Sequence, residues 1–61
     1  MYVVFRDEIG FATVTINGPV SFLDGKAYFT IDWILDDTKG YTEGQDMIIP
    51  VEHIVEIGKE K

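Results

Sequence analysis

Cysteine is absent from this sequence, which excludes a disulfide framework and a thiolate zinc site. Strong helix formers are scarce: alanine and leucine each occur twice and glutamine once. Serine occurs once, at Ser21, between Val20 and Phe22 in a stretch that reads as strand. No nucleophile elbow and no phosphate-cradling glycine loop can be drawn. The longest apolar runs are four or five residues, against about 20 for a membrane-spanning helix.

Cations are scarce as well. Arg6, Lys26, Lys39, Lys59 and Lys61 stand against eleven Asp and Glu, a net charge of −6. They are spread along the chain, and their spacing makes no basic stripe. Nucleic-acid binding leans on Lys and Arg to neutralise phosphates, so the composition argues against direct nucleic-acid binding. Residues 32–46 hold Asp32, Asp36, Asp37, Glu43 and Asp46 against Lys39 alone, which is −4 of the total −6.

At 61 residues the chain is one domain at most. A chain this short buries only about 60% of the surface its unfolded form exposes. With no staple the core must supply the stability, and a partner chain is a fair expectation. Residues 1–58 are expected to form a single small barrel domain and residues 59–61 a frayed tail. The N-terminus has no basic leader ahead of an apolar stretch, which argues against a signal peptide. A cysteine-free chain of this kind is most simply cytoplasmic.

What is present points to strands. Val, Ile and Thr account for nineteen residues, with eight aromatics. These side chains suit a pleated, half-buried surface. The first strand runs over 2–5 and the second over about 9–16, with Ala12, Val14 and Ile16 on the core face. Asn17-Gly18 and Asp24-Gly25 predict two-residue type I′ hairpin turns on either side of a third strand, 20–23. A fourth strand, about 26–35, is long enough to bend near residues 30–33 and serve two sheets. Strict alternation puts Ala27, Phe29, Ile31, Trp33 and Leu35 on one face, with Tyr28 and Ile34 on the other. Residues 36–45 read as a loop and 46–50 as a fifth strand. A brief 3₁₀ turn over 51–53 and a last strand over 54–57 follow Pro50.

The string IIPVEHIVEI resembles the closing segment of SH3-like and related small barrels. There a strand ends at a proline, a short turn follows, and a final strand completes the sheet. The expected fold is therefore all-β: a five- or six-stranded antiparallel meander curled into an SH3-like, partly open barrel. Likeness at this level carries no function.

Candidate chemistry is thin. His53, three residues before Glu56, could act as a base or metal ligand, but it lacks a partner nucleophile. The acidic loop offers hard oxygen donors, yet its spacing does not match the EF-hand pattern. Apolar residues on the second sheet face are more informative, because large contiguous apolar patches are uncommon on monomers. The leading expectation is a non-enzymatic acidic module without cofactor, binding a protein partner or forming a homodimer through an apolar sheet face or edge. Its candidate partner-binding residues are Phe11, Tyr28, Ile34, Asp36, Asp37, Tyr41, Glu43 and Asp46. A second expectation is an acidic phosphate mimic that occupies the basic groove of a nucleic-acid-binding partner. That mimic, built on the Asp36 to Asp46 segment, is the favoured variant of a nucleic-acid-related barrel. In the plain form Tyr2, Phe5, Phe11 and Tyr28 stack on bases, which the −6 charge opposes. The third is a small-ligand or metal-binding protein using His53 and the acidic loop.

Overall fold

The computed structural model describes residues 1–59. Within them lie strands β1 (Tyr2–Arg6), β2 (Phe11–Ile16), β3 (Ser21–Leu23), β4 (Lys26–Asp36) and β5 (Asp46–Pro50). A 3₁₀ turn (Val51–His53) then leads into β6 (Ile54–Gly58). Every pairing is antiparallel. The order across the sheet is β3-β4-β2-β1-β6, and β5 pairs with β4. The result is the all-β, partly open barrel that the sequence leads one to expect, with the 3₁₀ turn before the last strand. Of the expected tail, Lys59 follows β6 outside any strand, and residues 60–61 lie outside the described residues.

Pairing between β4 and its neighbours produces the curl. Its first half, Lys26 to Thr30, lies between β3 and β5, and from Ile31 onward it pairs with β2. The strand therefore changes sheets at residues 30–31, within the segment where its length demands a bend. Two bulges follow. Thr15 pairs with Trp33 but Ile16 with Ile31, leaving Asp32 as an extra residue. Thr13 pairs with Asp36 but Val14 with Ile34, leaving Leu35 as a second. A bulge bends its strand and resets which face each later residue takes.

That reset corrects the alternation read from sequence. Ala27, Phe29 and Ile31 are buried as expected, but Trp33 and Leu35 are each 58% exposed. Ile34 turns inward instead and packs against the core. The core consists of Val3, Phe5, Ala12, Val14, Ile16, Phe29, Ile31 and Met47. Phe5 sits in it with no exposed surface, its ring 5.7 Å from that of Phe29 and 5.5 Å from that of Tyr41. Tilted and edge-on geometries of this kind are the favoured ones for aromatic pairs. Phe5 is thus not available for stacking on bases.

The two expected hairpin turns fare differently. Asp24 (φ 52°) and Gly25 (φ 73°) both adopt positive φ, and Leu23 pairs with Lys26. That is the type I′ hairpin the sequence predicts. At Asn17-Gly18 only the glycine has positive φ, and β2 pairs with β4 rather than β3. The Asn17 amide donates to the Thr30 carbonyl (3.0 Å) and so continues the β2–β4 ladder. The chain then crosses to β3 through Pro19, whose ring nitrogen cannot donate to a ladder. The second strand also begins later than expected, because Asp7 captures the Ile9 and Gly10 amides in the preceding turn (2.8 Å each).

Candidate interaction surface

Cross-strand register lays out the convex face of the β6–β1–β2–β4 sheet. One row reads Gly58, Tyr2, Thr15, Trp33, and the next reads Glu56, Val4, Thr13, Asp36. Arg6 and Phe11 form a third pair. Phe11 is 59% exposed, as much as Trp33 and Leu35 at 58% each. Thr15 is buried although it belongs to this outward row, since its cross-strand neighbours Tyr2 and Trp33 flank it. The Tyr2 ring lies over Gly58: a Cβ there would come within 2.5 Å of it. The Tyr2 hydroxyl donates to Glu56, and this bond with the carboxylate raises the Tyr2 pKa. The face is thus an aromatic and hydroxyl-bearing plane with acids at its margins.

A second constellation ties two loops together at one end of the barrel. Asp7 is its hub. One carboxylate oxygen accepts from the Ile9 and Gly10 amides, and the other accepts from the Thr38 and Tyr41 hydroxyls. These donors, Thr38 foremost, hold the Asp7 carboxyl well below the usual carboxylate range. Burial and the bond to Asp7 push Tyr41 up to about 12. Beside them Lys39 donates to Glu8 at 2.8 Å, lowering the Glu8 pKa and raising that of Lys39. Both Asp7 oxygens are engaged, so this is a clasp that fixes the 37–45 loop against the β1–β2 turn.

Two cavities open on the barrel, and the smaller one borders the clasp. One, of about 260 Å³, has Phe5, Met47 and Ile49 in its wall and Arg6, Asp7, Glu8, Lys39, Tyr41 and His53 around it. The other, of about 390 Å³, runs between Asn17, Pro19 and Ser21 on one side and Tyr28, Thr30, Asp46 and Ile48 on the other. His53 and Ser21 therefore border different cavities. Among the described residues no three His, Asp or Glu side chains come together as a metal-binding group. Among them, too, no helix is long and apolar enough to cross a membrane.

The residues singled out from sequence fall in four places. Phe11 and Asp36 lie on the convex face, and exposed Asp37 follows at the end of β4. Tyr28 and Asp46 line the larger cavity, where the Thr30 hydroxyl donates to Asp46 (2.7 Å). Tyr41 belongs to the clasp, half-buried against the core. Glu43 is exposed in a turn closed by the Gln45 amide on the Thr42 carbonyl (3.1 Å). Ile34, expected outside, is inside. Trp33 and Leu35, assigned to the core from alternation, are outside, and no sequence signal marks the bulges responsible. Tyr2 and Val4 both belong to the outward rows of the convex face. Comparison with protein-family models, curated proteins and solved structures gives no match.

Proposed function

We propose that this chain is a non-enzymatic protein-interaction module that docks through the convex face of its four-stranded sheet. One observation carries the reading: two bulges in β4 turn Trp33 and Leu35 out to solvent, on the sheet whose outer rows carry Tyr2, Val4 and Phe11. A tryptophan held more than half exposed on a rigid sheet contributes no core burial. Tryptophan is among the residues that most often anchor interfaces. The rigid ladder beneath lowers the ordering cost of docking. The cysteine-free composition fits a cytoplasmic place of action.

The test compares capture from the source lysate by the wild type and by a Phe11→Ser/Trp33→Ser/Leu35→Ser variant. The three side chains are largely exposed, so the variant keeps the β-rich circular dichroism spectrum. Loss of the captured set supports the reading. Capture of the same proteins by a folded variant refutes it.

A second reading, acidic mimicry of phosphates, draws support from Asp32, Asp36 and Asp37, all exposed in or just after β4. It predicts a complex that dissolves as salt screens the charges.

A further inference from the structure

We propose that the convex face seats a basic protein surface carrying an apolar spot, and not a second copy of this chain. The inference rests on the docking role proposed above. Charge separates the two occupants. Asp36 and Glu56 close the Val4–Thr13 row at both ends, and Asp32 bulges out next to Trp33. Among the described residues Arg6 is the one cation of the three rows. A second copy offered to this face brings the same acids, and each copy carries −6. Like charges set face to face repel, whereas a cationic partner is drawn in and oriented.

The face is also small. From strand spacing and rise, a face four strands wide and five residues tall covers roughly 300 Å². The broad side of the whole molecule measures only 27 × 26 Å. A stable interface of ordinary size buries about 800 Å² on each partner. The apolar patch is small for any occupant, and a second copy would meet it with the same acids at its margin. It suits a partner whose affinity is shared between an anchor pocket for Trp33 and ion pairs at the rim.

Trp33 is the single tryptophan, so its fluorescence reports directly on occupancy of the face. The probe is a lysine–phenylalanine copolymer, with polylysine and a DNA duplex as comparisons. The copolymer is expected to shift Trp33 emission to the blue and to bind more tightly than polylysine. Affinity should fall about tenfold between 50 and 300 mM NaCl as the charges are screened. A D32N/D36N/E56Q variant should bind about tenfold more weakly. A charge-matched D24N/E43Q/E52Q variant, altered away from the face, should bind like the wild type.

Equal weakening of both variants reduces the effect to bulk charge and overturns the proposal. So does an unshifted emission, equal affinity for polylysine, or tighter binding to the duplex. A blue shift that grows with protein concentration alone identifies a second copy as the occupant and overturns it too. The salt series needs no substitution and tests the charge argument even if a variant misfolds. Should these results fail while lysate capture is still lost in the apolar variant, the docking face stands and only its charge complement falls.

Discussion

Truncating three successive side chains of β4 tests the bulge geometry on which the interaction face depends. Ile34 packs against the core, while Trp33 and Leu35 are each 58% exposed. Removing a fully buried Ile side chain costs about 2–5 kcal/mol. Ile34 is half-buried, so Ile34→Ala should cost about 1–2 kcal/mol, scaled from that range. Trp33→Ala and Leu35→Ala should each cost about 0.5 kcal/mol or less, as exposed substitutions do. For a domain this small, each kcal/mol moves Tm by roughly 4–8 °C. The expected order is thus a drop of about 5–15 °C for Ile34→Ala and a few degrees for its neighbours. Thermal melts followed by circular dichroism read it, with urea unfolding to show that m is unchanged. Strict alternation through β4 demands the opposite order, with the tryptophan truncation worst. If Trp33→Ala or Leu35→Ala destabilises more than Ile34→Ala, the bulges at Asp32 and Leu35 are wrong, and the docking face falls with them.

Other substitutions probe the turns and the clasp. Because Asp7 is held below its ordinary value of 3.8, its contribution to stability is fully present above that value. The contribution is lost as acid carries the pH below it, so Asp7→Asn should melt lower at pH 7 and lose less stability on acidification. Tyr41 runs the other way: raised to about 12, its contribution is present below pH 10 and disappears as the pH climbs through 10 to 12. Absorbance titration at 295 nm should show one tyrosine ionising earlier in Asp7→Asn than in the wild type. Alanine ordinarily stabilises a strand relative to glycine. At Gly58 it should lower Tm instead, since the new methyl meets the Tyr2 ring, and the Tyr2 ring resonances should shift in NMR spectra. Gly25→Ala, at φ 73°, should cost about 1 kcal/mol in denaturant unfolding. Asn17→Ala should be nearly neutral, because Asn17 does not adopt the positive φ that its Asn-Gly pairing suggests.

Composition and local pattern determined much of this molecule. Scarce helix formers, β-branched side chains and turn residues at short intervals specify strands. The Asp24-Gly25 pair specifies its own hairpin, because the φ angles it tolerates are a property of the residues themselves. Pro50 and the apolar positions after it likewise place the 3₁₀ turn and β6. The clasp was not legible, since Asp7 is a turn residue by sequence. Its partners Thr38 and Tyr41 lie 31 and 34 residues away and meet it only once the barrel closes. The convex face was half legible. Phe11 and Asp36 were identified, but Trp33, Leu35 and Ile34 were assigned to the wrong sides. Alternation is a local rule that holds while a strand keeps one register. A bulge arises from the partner strand, when β4 must leave β3 and β5 and follow β2 around the barrel. Which residues faced solvent was therefore decided by tertiary pairing.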